Sequence, residues 1–544
     1  MKLLALPLVV LVLYAWLFPW IPALRSPNEL SRLYQARAIV EDHSLSVNKQ
    51  IARHGPVGDL SVKDGRYYPN KAPGVSFLGA ATLAAVRAAR GSPVLSRTPD
   101  EGRDEDAVPE GEAVYWLRLF VCMLPGAAAA ELLRRILARR FEPPLAASGA
   151  IVFALGTIMW PYSTFLMSHG PTAASVVACW WATERARATR GRRWWALAGF
   201  MGGWAVLLEY TSALALLPLL LLLGCRAWVP PPLESSPAGD GLSPRGTVSP
   251  TKGKQRPGAV LATALGFLPP ILALALYHQA AFGNPFHTGY RHLVNPVFTE
   301  WHARGFMGVG APSLRALAGS LLDPARGLFS WSPFLALGVP GIIPLWRRDR
   351  PLALLCAAEL CLYALFTASF TYHAWGWVVG PRHITPACAF LVPPALAAAE
   401  WLRDRGWGFV AAGLALSGMA VLALTVAVCP YLPEELTNPI WQLVLPLARK
   451  GLRSPDVLGM ALHTTSRVTL LPWLALLLVT AGWASIALSH HPGTRSRPRS
   501  PSFALLLALL LAVGLFGARS RLGGPDLFED ARRFMESRLA AGGQ

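Results

Sequence analysis

The chain has 544 residues, of which 53% are hydrophobic and only 15% charged, with a mean hydropathy of +0.39. A soluble domain carries roughly a quarter charged residues, so this composition excludes one and implies a polytopic membrane protein. The net charge of +19 does not point to nucleic acid: Lys and Arg gather in short tracts between apolar runs, "LRRILARR", "RARATRGRR", "WRRDR", "LRDRG" and "TRSRPRS", the pattern of cytoplasmic loops.

The first apolar run, from Leu3 to Leu24, exceeds a signal-peptide core and lacks a small-x-small cleavage site, so it reads as a retained anchor. Met1-Lys2 before it, and Arg-poor sequence just after it, predict a cytoplasmic N-terminus. Residues 28 to 42 follow as an amphipathic helix with Leu30, Leu33, Tyr34, Ala38 and Ile39 on one face and Arg32, Gln35 and Arg37 elsewhere. Ser26 or Asn28 can cap it, and Glu29 in its first turn is on its own terms a helix-dipole carboxylate. The stretch "VKDGRYYPNKAPG", residues 62–74, is a stiff polar island punctuated by Pro and Gly.

Residues 75–89, "VSFLGAATLAAVRAA", are short, Ala-rich and carry Arg87. If they cross the bilayer, the tracts holding Arg134, Arg135, Arg139 and Arg140, and those after Trp346 and Trp401, all land outside. If they lie in the interface, every strongly basic tract lands inside. The segment is therefore a juxtamembrane helix, and residues 25–112 form one long outer loop. Further spans are expected at 113–133, 144–167, 171–184, 195–209, 211–224, 258–281, 331–346, 351–370, 384–401, 408–429, 468–489 and 502–518. With the first run that makes about thirteen crossings of a ~30 Å hydrocarbon core.

The run 195–224 has basic sequence at both ends, so it contains an even number of crossings: two short helices meeting at Glu209-Tyr210, with Glu209 read as a turn cap in the interface ahead of a role at the site. Residues 226–257 are rich in Pro, Gly and Ser and read as a disordered cytoplasmic loop. Residues 1–518 form one membrane-embedded domain, and the tail 519–544 holds an amphipathic helix, "DLFEDARRFMESRL". The seven cysteines, Cys122, Cys179, Cys225, Cys356, Cys361, Cys388 and Cys429, have no metal-ligand spacing and read as small buried hydrophobes.

This threading collects the unusual polar and aromatic sequence on one side. It includes the stretch around Glu29, "MSHGP" around His169, "FGNPFHTGYRHLVNPVF" with "LLDPARGLFSWSP", and "TYHAWGWVVGPRHITP". A functional site on that outer face accounts for the asymmetry. The tryptophans Trp375 and Trp377 read as an interfacial aromatic belt.

An acidic residue opening the helix after the first span, then Tyr67, Tyr68, Lys71 and Pro73 in a "YY..K.P" segment before a short apolar helix, resembles the integral-membrane glycosyltransferases of the GT-C fold. The resemblance is to the protein O-mannosyltransferase and aminoarabinose lipid A transferase group with its RgtA-like relatives. "GPRHITP" also resembles the group's late outer-loop segment before a Pro-rich span. The resemblance implies an all-α, GT-C-like bundle that transfers a sugar from a polyprenyl-phosphate donor to a lipid, glycan or protein acceptor at the outer leaflet. Glu29 is then the catalytic base. Lys71, Arg382, Arg291 and Arg326 bind the donor phosphate, and Tyr67, Tyr68, His169, His292 and His383 line the substrate site. Three departures stand out: Asn28-Glu29 where the group begins its loop with Asp-Glu, Ser168-His169 where relatives place a second acid, and "KAP" for "KPP". They leave divalent-metal dependence open and admit a non-catalytic scaffold. The competing class is a transporter or flippase of a lipid-linked or small polar substrate, which calls for paired intramembrane charges and repeat symmetry that the spans lack. The Ala, Arg, Gly and Pro excess points to a GC-rich bacterial genome and hence an inner membrane, with the site facing the periplasm.

Overall fold

The computed structural model describes residues 5–21, 24, 26–91, 110–189, 191–224, 257–305, 307–370, 376–490, 503–504, 506–507, 510 and 525–541. Apart from one hairpin, their regular structure is helical. Five helices are long and apolar enough to cross a membrane: Glu110–Leu137, Gly258–Phe282, Arg350–Ser369, Gly408–Val428 and Arg467–Ser489. Each coincides with an expected span, and the chain is a multi-pass membrane protein.

The expected count of about thirteen is not reproduced by length. The first helix, α1, covers only Ala5–Trp16. The expected span 144–167 breaks at Gly156-Thr157 into Pro143–Leu155 and a short Met159–Thr164. A third departure is residues 331–346, where a 3-10 turn, Pro333–Leu337, leads into Gly338–Arg348. The 195–224 run does fold as two helices, Arg192–Leu208 and Ala213–Gly224, with Glu209 in extended backbone at the joint and Tyr210–Ser212 as a 3-10 turn. Most of the expected span 502–518, Trp375, Cys225 and residues 226–256 lie outside the described residues.

Small residues let helices approach closely where no hydrophobic effect drives them together in lipid. A Cβ on Gly199 would meet the Thr263 carbonyl at 1.9 Å, and one on Gly266 the Ala196 carbonyl at 2.0 Å, so Arg192–Leu208 and Pro257–Phe282 pack backbone to backbone. Elsewhere the core is aromatic: Trp180 stacks on Phe390 with centroids 4.9 Å apart, joining His169–Thr189 to Ala387–Asp404.

Charges mark one end of the bundle. Arg140 bridges Glu184 and Asp349 at 3.0 and 2.7 Å, Arg348 pairs with Glu400, and Arg403 with Glu142. The basic tracts after residues 133, 346 and 401 thus sit together. Helices such as His169–Thr189 and Arg350–Ser369 run from that end to the opposite one, where residues 169, 209 and 370 gather.

At that opposite end residues 26–91 build a compact layer. Helix α2, Pro27–Glu41, packs on α4, Gly74–Arg90, with Gly79 against Ala36. A short helix α3, Asn48–His54, lies between α2 and the hairpin. Helix α4 has 17 residues, and its Arg87 is held by Glu41 at 2.9 Å. Helix α2 corrects the amphipathic expectation, because nearly all of it is buried, Asn28, Glu29, Ser31, Arg32 and Gln35 included. Its polar side is covered by protein instead of water, and Ser26 occupies the N-cap position without a side-chain bond.

The polar island holds a β-hairpin, β1 Leu60–Lys63 against β2 Arg66–Pro69, with Val62 opposite Tyr67. Asp64 and Gly65 turn it with φ of 51° and 73°, the paired positive values of a type I′ turn. Backbone bonds Val62 N to His292 O and Val294 N to Leu60 O, at 2.8 and 3.0 Å, add residues 292–294 to its edge.

The cysteine reading holds for Cys122, Cys179, Cys356, Cys388 and Cys429, which are buried, whereas Cys361 is exposed. The tail helix Pro525–Ala541 buries Met535 and Leu539, sets Phe534 edge-on to Trp377 at 5.8 Å, and pairs Glu536 with Lys450.

Candidate active site

Between the α1–α4 layer and the helix ends lies a cleft of about 630 Å³ including its mouth. Three cations, Arg32, Lys71 and Arg382, and two carboxylates, Asp59 and Glu209, line it together with Asn28, His169, Tyr290, His302 and His383. Phe298, Trp301 and Phe370 form its apolar side.

The hairpin aims Lys71. Two residues past β2, its ammonium lies 3.4 Å from Asp59 Oδ1 and 5.5 Å from the centre of the Tyr290 ring. Tyr290 is fixed by its neighbour Gly289, where a Cβ would meet the Asn70 backbone at 2.8 Å, and by stacking on His302 at 4.6 Å. Burial lowers the Lys71 ammonium from its usual range, helped by Arg382 and Arg32 and opposed by Asp59 and Glu209. Burial would raise the Asp59 carboxyl, but Lys71, Arg382 and Arg32 together hold it below the usual carboxylate range. The group is therefore a cation-rich pocket that gains from receiving an anion.

The second half is a relay on α2 and the 165–169 turn. Arg32 donates to the Asn28 carbonyl at 2.6 Å and to the Asn28 side-chain oxygen, and reaches Ser168 Oγ at 3.2 Å. Ser168 in turn donates to Glu209 Oε2 at 2.6 Å. His169 Nδ1 lies 4.0 Å from the same oxygen, and its ring meets His383 edge-on at 5.1 Å. The Nε atoms of Arg32 and Arg382 are buried and have no hydrogen-bond partner among the described residues. Both guanidiniums thus retain donors at the cleft.

Of the expected site residues, Lys71, Arg382, His169 and His383 converge here; the others do not. Glu29 is fully buried and faces away from the cleft. Its Oε1 accepts from Arg118 Nη2 at 2.7 Å and from Leu166 N at 2.6 Å, and Oε2 from Tyr431 at 2.6 Å. Arg118 is presented by a π-helical turn, Arg118–Met123, and is boxed by Phe18 and Trp20. Adjacent positions on a helix point about 100° apart, so Asn28 faces the cleft and Glu29 the core.

Arg326 staples loops, donating to the carbonyls of Val378 at 2.8 Å and Pro433 at 3.0 Å. Arg291 is exposed and bonded to His287. Tyr68 meets Phe282 edge-on at 5.6 Å and His292 stacks on it at 5.3 Å, and Tyr67 belongs to the hairpin, where its carbonyl accepts from Val47. These residues shape the layer without lining the cleft.

Asp59, Tyr290 and His302 were not among the expected site residues, Arg32 was placed only on the polar side of α2, and Glu209 had a role at the site only as the alternative to a turn cap. The Asp-Gly turn at 64–65 was the available signal for the hairpin that brings Asp59 to Lys71. Among the described residues no three His, Cys, Asp or Glu side chains are grouped to hold a metal ion, so the divalent ion left open above finds no built ligand set there.

Residues 111–230 match the family model for dolichyl-phosphate-mannose-protein mannosyltransferases, the group that the first-loop motif resembles. No curated protein matches the chain. Among solved structures, ArnT from Cupriavidus metallidurans bound to undecaprenyl phosphate is 16% identical with a TM-score of 0.48, over 94% of this chain and 77% of that one. The apo form of the same protein is 14% identical with a TM-score of 0.46, over 94% and 76% of the two chains. An oligosaccharyltransferase from Archaeoglobus fulgidus is 12% identical with a TM-score of 0.43, over 99% of this chain and 60% of that one.

Proposed function

We propose that this protein is a membrane glycosyltransferase that moves a sugar from a polyprenyl-phosphate donor to an acceptor hydroxyl. The observation that carries the reading is the convergence of Arg32, Lys71 and Arg382 with Glu209 in one cleft at a single end of the bundle. The match of residues 111–230 to mannosyltransferases that use a dolichyl-phosphate sugar supports the donor class. The basic tracts gathered at the opposite end support a cleft on the outer face, with residues 25–112 as its main loop.

In this mechanism the acceptor oxygen attacks the anomeric carbon, the bond from that carbon to the phosphate oxygen breaks, and the lipid phosphate leaves as an anion. Arg32, Lys71 and Arg382 hold the charge that develops on it, Arg as a planar fork and Lys as a point charge. The acceptor's proton goes to a carboxylate. Glu29, the base expected from sequence, has both oxygens occupied by Arg118, Leu166 and Tyr431 and no line to the cleft. The role passes to Glu209, whose carboxylate is oriented by Ser168, itself held by Arg32. His169 lies beside it, with His383 packed on His169, and the two shape the acceptor side. Glu29 becomes the ion pair that fixes α2, and with it Asn28 and Arg32.

The test is to supply purified protein with a panel of polyprenyl-phosphate sugars and follow donor consumption, with Glu209→Gln and Lys71→Ala as controls. Consumption that depends on both residues supports the reading; no donor consumed or bound from a broad panel removes it.

A further inference from the structure

The segment that closes the cleft on its aromatic side has a second face. Inward it supplies Tyr290, Trp301 and His302. Outward it presents large apolar side chains: Phe286 is 87% exposed, Leu314 84% and Leu322 62%. Val294 and Val297 are also exposed, and the helix Pro296–Ala303 has no buried residue at all.

The helix Leu314–Leu322 turns Ala316 and Ser320 inward and leaves Leu314, Ala318 and Leu322, at a spacing of four, as an outward apolar stripe. Such a surface is unusual on a part of a protein that faces water.

Its position says what covers it. Phe286 follows by four residues the end of the span Gly258–Phe282, whose Leu265, Leu268, Leu272 and Leu276 are exposed along one side. On the other flank the segment is tied to the end of the span Arg350–Ser369. Gly310 N and Ser313 N bond the carbonyls of Ser369 and Ala368, both at 2.8 Å. The apolar patch is therefore continuous with two lipid-facing helices and fixed at the depth where they end. Exposed Arg291, Arg304 and Arg315 rim it, Arg304 paired with Glu300, as basic side chains do at a phosphate headgroup layer.

We propose that residues 286–305 and 307–322 form a lip seated in the bilayer, with Phe286, Leu314 and Leu322 among the acyl chains and Arg291 and Arg315 at the headgroups. The wall that closes the cleft on its aromatic side is then itself immersed at headgroup depth. The seating itself does not depend on the transferase reading.

The test places single cysteines at Phe286 and Leu314, with Arg66→Cys on the exposed hairpin as the reference, in a Cys361→Ser background. Each is labelled with bimane in nanodiscs containing anionic lipid. Quenching by lipid carrying a doxyl group near its headgroup is compared with quenching by aqueous iodide. The proposal expects lipid quenching at both lip positions several-fold above that at residue 66, and iodide quenching several-fold below it. Iodide access equal to that of residue 66 overturns it. Shielding from both quenchers also overturns it, and assigns the patch to a protein partner or a second copy instead.

Discussion

Ser168 donates its hydroxyl proton to Glu209 Oε2 across 2.6 Å and accepts from Arg32 across 3.2 Å, so one hydroxyl joins the carboxylate to the cation inside the cleft. Removing it leaves Glu209 short of a donor and Arg32 short of an acceptor. A buried hydrogen bond of this kind is worth about 1–3 kcal/mol. Ser168→Ala is therefore expected to lower kcat by roughly tenfold with donor KM nearly unchanged, and Ser168→Thr to restore part of it. Steady-state kinetics on the two variants checks this.

The pair Glu29–Arg118 predicts a different signature. Both side chains are fully buried, and breaking such a pair costs on the order of 3–5 kcal/mol because the surviving charge is stranded. Glu29→Gln and Arg118→Met are each expected to lower the Tm and the folded yield in detergent, whereas Glu209→Gln leaves both near wild type. A double-mutant cycle on Tm is expected to show strong coupling between Glu29 and Arg118.

Lys71 supplies the pH dependence. Burial, with Arg382 and Arg32 close by, lowers its ammonium below the usual lysine range, so the free protein loses that charge as pH rises through the lowered value. An anionic donor favours the charged form and raises the pKa on binding. Donor affinity is thus expected to fall as pH rises, and to do so earlier than an ordinary lysine would allow. Lys71→Arg is expected to flatten that fall, which a KM-against-pH series measures.

Gly289 tests how the hairpin positions the site. A Cβ there would press on the Asn70 backbone at 2.8 Å, one residue from Lys71. Gly289→Ala is expected to raise donor KM several-fold while leaving kcat and Tm less affected. Gly65→Ala, at the hairpin tip with nothing within 4 Å, carries only the strain of a positive φ, about 1–2 kcal/mol. It is expected to affect stability and not donor use.

Hydropathy made the five long spans legible, because each helix of 20 to 28 residues holds an 18-residue window that is strongly apolar with few charges. It did not register the break at Gly156-Thr157 within the run 144–167, since polarity averaged over a window does not see one, whereas the basic sequence at both ends of 195–224 made the break at Glu209 legible. Lys71, His169, Arg382 and His383 were legible as polar groups in stiff, Pro- and Gly-punctuated segments on one side. Which of Asn28 and Glu29 faces the cleft was not legible, because one residue of rotation on a buried helix decides it. Asp59, Tyr290 and His302 reach the cleft only through the hairpin and the 289–303 segment. Those contacts span more than 200 residues of chain, as in Ser61 Oγ to Gly289 O.

The most direct measurement compares sugar transfer by the wild-type protein and by Glu209→Gln in nanodiscs at equal folded fraction, with a polyprenyl-phosphate donor found to bind. The account predicts a loss of about 10²-fold or more in kcat, with donor affinity within a few-fold of wild type. Wild-type turnover by Glu209→Gln would contradict it.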